Sequence, residues 1–168
     1  EEKIQGPEVS VFALCDGERY TLLPTAQDHK RLNEKDTGPN TGGMGAYSPA
    51  PLLTEDYLDK IIKEIIEPTI NELNKRNIDY RGVIYFGLMI TKSGPKVIEY
   101  NCRFGDPECQ TIMPLMDQNF VFLLEKCSMG NLTGDEKINT SDKVSGCVIA
   151  TSKGYPHEYK TGYQIKIG

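Results

Sequence analysis

The 168-residue sequence predicts an α+β fold, because short-turn strand pairs alternate with amphipathic helical segments. Residues 8–15 (EVSVFALC) and 19–23 (RYTLL) are rich in β-formers, and Asp16-Gly17 between them is a strong hairpin signal. Residues 82–91 (GVIYFGLMIT) predict a strand buried on both faces, which Ser93-Gly94-Pro95 turns into a second strand, KVIEY. We expect the first pair to be antiparallel and the second pair to be central to the sheet.

Three segments predict helices. The first begins after Thr54, a candidate N-cap, and we expect a bend at Pro68. Its apolar residues recur at helical spacing: Leu58, Ile61, Ile62, Ile65, Ile66, Ile70 and Leu73. Pro107 suits the first turn of a helix over about residues 107–117, and residues 120–129 predict another that ends at Gly130.

The remaining segments predict irregular chain and isolated strands. Residues 24–51 are rich in Gly and Pro, lack apolar periodicity and predict a long loop, which inside a domain is usually functional or disordered. Residues 131–143 are polar and loop-like, whereas 144–152 and the segment YQIKI predict strands. Because the chain begins and ends abruptly, we expect it to be a fragment of a larger protein.

Composition excludes several classes of function. The net charge of -5 argues against a nucleic-acid or anionic-membrane partner, since such surfaces are normally basic. No apolar run approaches the ~20 residues of a membrane-spanning helix, and the N-terminus lacks signal-peptide character, so we predict a cytoplasmic protein. The 5 Cys form no CxxC pair and predict buried or incidental thiols.

The segment EYNCR carries the strongest chemical signal. An extended strand would place Glu99, Asn101 and Arg103 on one face, where a carboxylate and an amide oxygen could bind one Mg²⁺. Arg103 could then hold a carboxylate or phosphate through a bidentate fork. Two alternatives stay open: a strand end frayed into solvent, and a core salt bridge between Glu99 and Arg103.

Two further clusters have both a functional and a plain structural interpretation. The residues Gly42, Gly43, Met44 and Gly45 could line an anion-binding nest with their amides, or form a flexible loop. The tetrad Asp28-His29-Lys30-Arg31 is typical of a solvated charged turn, although Lys30 or Arg31 could stabilise a transferred phosphoryl group.

Four motifs together resemble the phosphoribosylamine-glycine ligase family of the ATP-grasp superfamily. They are AQDHKR (26–31), GPNTGGMGAYSPAP (38–51), EYNCRFGDPECQ (99–110) and SKGYP (152–156). The resemblance implies that residues 1–130 form the second half of an ATP-grasp domain, with a central, mostly antiparallel sheet packed by helices. Residues 131–168 would form a connection and the beginning of a small C-terminal β-rich domain.

The resemblance also implies ATP and Mg²⁺ (or Mn²⁺) as cofactors. The metal ligands would be Glu99 and Asn101, and VIYFGLMI supplies no third acid. Catalytic roles fall to Arg103, Lys30 and Arg31. The nucleotide would contact hinge residues Glu1, Glu2, Lys3 and Ile4, and also Glu8 at the ribose and Asn40. Substrate contacts are assigned to Asp28, Gly42, Gly43, Met44, Gly45, Asp106, Pro107 and Glu108.

The reaction implied by the resemblance joins glycine to 5-phosphoribosylamine through glycyl phosphate, releasing ADP and phosphate in purine biosynthesis. Because the amino-terminal domain and the preceding ATP-grasp half of the family are not in these 168 residues, we expect the chain alone to be inactive. The alternatives are an ATP-grasp ligase of other specificity and a non-catalytic nucleotide- or metal-binding fragment.

Overall fold

The fold is built on a four-stranded antiparallel sheet with the order β2-β1-β7-β8. The computed structural model describes residues 2–117, 119–136, 138 and 142–166. Its strands are β1 (Glu8–Asp16), β2 (Tyr20–Leu22), β3 (Gln27–Asp28), β4 (Arg31–Asn33), β5 (Thr37–Asn40), β6 (Gly45–Ser48), β7 (Arg81–Thr91), β8 (Gly94–Asn101) and β9 (Ser145–Val148). Its α-helices are α1 (Glu55–Ile61), α2 (Glu67–Lys75), α3 (Glu108–Ile112) and α4 (Phe120–Met129).

Alternate residues of β1 pack against different helix layers, so the sheet is buried on both faces. Val9, Val11 and Ala13 belong to the core beneath α1 and α2, whereas Phe12 and Leu14 belong to the core beneath α3 and α4. The period-two alternation of a strand produces this division. The α+β prediction, with a mostly antiparallel sheet packed by helices, is therefore confirmed.

The predicted hairpin between β1 and β2 is present. The Asp16 N–H donates to the Arg19 carbonyl at 3.0 Å, which places Gly17-Glu18 rather than Asp16-Gly17 in the turn. Gly17 has φ +104°, a value that a side chain would disfavour.

The helices follow the predicted caps and breaks. The Thr54 side chain accepts a hydrogen bond from the Tyr57 N–H and caps α1, as predicted. A π-helical turn, Ile62–Ile66, separates α1 from α2 just before Pro68, whose missing N–H removes one helical donor. The chain ends α4 at Gly130 in the left-handed conformation, also as predicted.

The predicted helix over residues 107–117 is shorter than expected. The α-helical part ends at Ile112, and the 3-10 turn Met113–Leu115 follows it. Pro114 explains the change, because it cannot donate the N–H that would continue the helix.

Three sequence predictions were wrong. Residues 24–51 form the short strands β3 to β6 rather than a structureless loop, because backbone pairing holds them despite their polar side chains. Ser10 and Ala26, for example, exchange two backbone hydrogen bonds of 2.8 and 3.0 Å. Strand β8 lies at the sheet edge, where Ile98 and Tyr100 are 42% and 49% exposed, so it is not central.

The third error concerns the segment YQIKI, in which residues 163–166 form no strand and Ile167 lies outside the described residues. The predicted strand 144–152 is present as the shorter β9, which pairs with β6. The division at residue 130 stays a prediction. None of the helices in the described ranges is long and apolar enough to cross a membrane.

Candidate active site

One face of the central sheet carries the two predicted metal ligands, Glu99 and Asn101. Glu99 pairs with Gly87, which pairs with Ser10, and Asn101 pairs with Tyr85 in the next row. Directly paired residues point to the same face of a sheet. The Glu99 and Asn101 side chains are therefore on the side of Ser10 and Tyr85, near the cover of α3.

Arg103 does not extend this face by strand geometry, because β8 ends at Asn101. Its Nη1 donates to the Phe104 carbonyl at 2.8 Å, and the side chain is exposed. Among the described residues, Arg103 and Glu99 form no ion pair, so the alternative of a core salt bridge between them is not observed. A substrate contact by Arg103 stays a prediction.

Lys30 lies among three carboxylates above the sheet. Its Nζ is 3.1 Å from Glu8 Oε2, and a small cavity there is also lined by Asp28 and Glu99. Burial lowers the pKa of Lys30, but Glu8, and more weakly Glu99 and Asp28, outweigh burial and leave the pKa raised. The site therefore keeps a cation beside Glu99, one of the two predicted metal ligands.

Two hydroxyl groups that sequence reasoning missed form a chain of hydrogen bonds to the carboxylate of Glu108, with Ser10 as the direct donor. Ser10 Oγ donates to Glu108 Oε1 at 2.8 Å and is 3.0 Å from Tyr85 Oη. Since the only Ser10 hydroxyl proton goes to Glu108, Tyr85 donates to Ser10. Burial, and then the charge of Glu108, raise the pKa of Tyr85, so it remains a donor. Both residues lie within apolar strands. The alternation of side chains along each strand was the only sequence signal that could have placed their hydroxyls on the face of the site.

Asp28 is the unsatisfied carboxylate of the site. Within the described residues, its Oδ1 is buried and has no hydrogen-bond partner. Burial and then the charge of Glu108 raise the pKa of Asp28 to about 7, although Lys30 acts in the opposite direction. A buried carboxylate oxygen without a partner is costly, so Asp28 takes up a proton near neutral pH or this oxygen acquires a partner.

Two glycines make room for these carboxyl groups. A Cβ on Gly105 would stand 2.9 Å from Glu108 Oε1 and closer still to Oε2. A Cβ on Gly43 would stand 2.4 Å from Pro107 Cδ and 2.9 Å from Asp28 Oδ1. Both positions exclude any side chain without a shift of the site.

The glycine loop, residues 41–45, packs beside Asp28 with several amides already bonded. The Gly42 N–H donates to Tyr155 Oη at 2.9 Å, and the Gly43 N–H donates to Thr41 Oγ1 at 3.0 Å. The Met44 N–H donates to the His29 carbonyl at 2.9 Å. An anion bound by these amides would have to replace those acceptors, so the nest stays a prediction.

Three other predicted residues lie around this core. Arg31 Nη1 donates to the Gly38 carbonyl at 2.7 Å, within the exposed pair of β4 and β5. Asn40 is exposed at the end of β5. Asp106 is exposed and accepts a hydrogen bond from Gln110 Nε2 at 2.7 Å.

Gly45 and the predicted hinge are the remaining residues that the sequence assigned to the site. A Cβ on Gly45 would stand 2.5 Å from the Cys147 carbonyl oxygen, so glycine permits β6 to pair with β9. Glu2 and Lys3 are exposed and Ile4 is half-buried, ahead of β1. Glu1 lies outside the described residues.

The donor set of Glu99 and Asn101 fits a hard cation. One carboxylate and one amide oxygen share a face, and Mg²⁺ usually takes one or two protein carboxylates with phosphate and water. Among the described residues there is no group of three or more His, Cys, Asp or Glu that could hold a metal by itself.

Comparison with known proteins identifies the family of the chain. Residues 1–109 match the phosphoribosylglycinamide synthetase ATP-grasp (A) domain. The chain belongs to this family. Members of similar sequence include the phosphoribosylamine–glycine ligase of Caldanaerobacter subterraneus, 48% identical over 99% of this chain and 40% of its own length. The trifunctional purine biosynthetic protein adenosine-3 of Gallus gallus is 46% identical over 98% of the chain and 16% of its own length.

Solved structures agree with the family. The phosphoribosylamine–glycine ligase of Thermotoga maritima superposes with a TM-score of 0.82 at 33% identity, covering 95% of this chain and 40% of that one. An L-amino acid ligase of Bacillus licheniformis shares the fold at 19% identity, with a TM-score of 0.60 over 90% of this chain and 37% of that one. The chain spans about 40% of the length of the phosphoribosylamine–glycine ligases of similar sequence.

Proposed function

We propose that this chain contains the second half of the ATP-grasp domain of a phosphoribosylamine–glycine ligase, which joins glycine to 5-phosphoribosylamine. The observation that supports it most is the grouping of Lys30, Glu99 and Asn101 over one sheet face in a chain of this family. A cation and two oxygen donors at one place suit the triphosphate of ATP and its metal.

Glu99 and Asn101 would hold Mg²⁺ or Mn²⁺, which when bound neutralises charge on the transferred phosphoryl group. Lys30 would exchange its ion pair with Glu8 for phosphate oxygens, leaving Glu8 for the ribose. The backbone of residues 1–4 would contact adenine, and Asn40 would make a further nucleotide contact.

The small substrates would occupy the region of Asp28, the glycine loop and the segment Asp106, Pro107 and Glu108. A glycine carboxylate oxygen attacks the γ-phosphorus and displaces ADP, which converts a poor acyl donor into one with a good leaving group. The amine of phosphoribosylamine then attacks the carbonyl carbon, loses a proton and displaces phosphate. Arg31 and Arg103 would stabilise the charge that develops, together with Lys30.

The remaining polypeptide would complete the site. Since the chain spans about 40% of the length of these phosphoribosylamine–glycine ligases, the preceding ATP-grasp half and the amino-terminal domain would be its partners, in the cytoplasm. Residues 131–168 would connect to a small C-terminal domain. We expect the 168 residues alone to be inactive.

The test is ADP formation by the full-length polypeptide that contains this chain. We expect repeated turnover to ADP only when glycine and phosphoribosylamine are both present with ATP and Mg²⁺, because glycine alone can release at most one ADP per site. ADP formation with another amino acid or amine, and none with this pair, would instead identify an ATP-grasp ligase of other specificity. Nucleotide binding without any substrate-dependent turnover would show a non-catalytic module.

A further inference from the structure

The motif SKGYP, residues 152–156, has no role in the proposed reaction, yet it touches the glycine loop. Tyr155 Oη accepts the Gly42 N–H at 2.9 Å across 113 residues of sequence. A Cβ on Gly42 would stand 3.3 Å from Tyr155 Oη, tighter than ordinary van der Waals contact. Because Gly42 has no side chain, the Tyr155 hydroxyl can approach its amide this closely.

Tyr155 is held firmly by its own segment. Its N–H donates to the Ser152 carbonyl at 3.1 Å, and the His157 N–H donates to the Gly154 carbonyl at 3.0 Å. Its ring meets the ring of Tyr159 edge to face, with centroids 5.3 Å apart. The Tyr155 hydroxyl therefore reaches the loop from a hydrogen-bonded turn.

The glycine loop also packs against the site, through the residue that follows Gly42. Gly43, the next residue, packs so closely on Pro107 and Asp28 that a Cβ would stand 2.4 Å and 2.9 Å from their nearest atoms. Pro107 immediately precedes Glu108, which is bonded to Ser10. A shift of the loop at Gly42 would move these groups relative to one another.

We propose that Tyr155 is a positioning residue, whose hydroxyl fixes the glycine loop against Asp28 and Pro107 for binding of the small substrates. The inference rests on the proposed function. The predicted adenine contacts, at residues 1–4, lie outside this series of contacts. Loss of the hydroxyl therefore raises KM for glycine or phosphoribosylamine and leaves KM for ATP unchanged.

The test compares Tyr155→Phe with Tyr159→Phe in the full-length ligase. Both changes remove one phenolic oxygen, but among the described residues only the Tyr155 hydroxyl bonds to the glycine loop. We expect Tyr155→Phe to raise KM for one small substrate about 3- to 10-fold, equivalent to about 0.7–1.4 kcal/mol, with kcat and KM for ATP within about twofold. We expect Tyr159→Phe to behave as wild type.

Hydrogen exchange of the Gly42 amide gives a readout independent of turnover. It should accelerate in Tyr155→Phe and stay unchanged in Tyr159→Phe. A second variant, Gly42→Ala, crowds the same hydroxyl and should raise the same KM.

Normal KM values in both loop variants of an active enzyme would overturn the inference, as would a fall in kcat alone or unchanged Gly42 exchange. An inactive wild-type enzyme would instead refute the proposed function, and with it a substrate role for Tyr155, while exchange would still report the contact.

Discussion

Replacing Asp28 by asparagine should make the chain's stability less dependent on pH. The pKa of Asp28 is about 7 in the fold, against 3.8 for an unperturbed carboxyl group. Between these values the folded protein binds more protons than the unfolded chain does. Its stability is therefore greatest below the unfolded pKa and falls as pH rises through the folded pKa. The side-chain amide of the Asp28→Asn variant cannot ionise, so the substitution removes this fall.

The magnitude follows from the two pKa values. At full strength, moving from about pH 5 to about pH 8 would cost the wild type about 2.6 kcal/mol of unfolding free energy. Because Asp28 is only half-buried, solvent screening lowers our expectation to about 1 kcal/mol. The neighbouring charges of Glu108, Lys30 and Glu8 are retained in the variant.

Urea unfolding of the 168-residue chain at both pH values measures the effect. The difference in unfolding free energy between Asp28→Asn and wild type should become about 1 kcal/mol more favourable to the variant at the higher pH. Asp106→Asn, an exposed carboxyl group of the same region, serves as the control and should show no such change. A pH-independent difference for Asp28→Asn would refute the reasoning.

Two further changes test the support of Glu108. Gly105→Ala should force the Glu108 carboxylate away from Ser10 and lower kcat/KM of the full-length ligase. The control Gly146→Ala should not lower it, because a Cβ there would stand 3.7 Å from its nearest neighbour, the Ala46 carbonyl oxygen. Equal kcat/KM values for the two variants would contradict the steric argument. Ser10→Ala should lower the unfolding free energy by about 1–3 kcal/mol, because it leaves a buried carboxylate without its donor. Full additivity with Tyr85→Phe would show that the three groups do not form a coupled network.

Much of the fold was predictable from local patterns. Thr54, the Gly130 terminus of α4 and the first hairpin were predicted from capping, left-handed glycine and β-rich residues, which act over a few residues. Strands β3 to β6 were missed, since distant backbone partners hold them rather than apolar alternation. The edge position of β8 also depends on sheet order, which local sequence does not encode.

The candidate site divides in the same way. The shared face of Glu99 and Asn101 followed from period-two geometry and is confirmed, whereas the extension of that face to Arg103 failed because the strand ended first. Ser10 and Tyr85 acquire their roles only when three elements converge on Glu108, across 98 residues in the case of Ser10. Such convergence is a property of tertiary structure.

The most direct test of the account is the Mg²⁺ requirement of Glu99→Gln in the full-length ligase. Glu99 is predicted to bind the metal, and even groups that only support a metal ligand change affinity about 10- to 100-fold. We therefore expect the Mg²⁺ concentration for half-maximal ADP formation to rise at least about tenfold. The control Glu64→Gln alters an exposed glutamate of the π-helical turn and should have no effect. Normal turnover of Glu99→Gln at limiting Mg²⁺ would contradict the assignment.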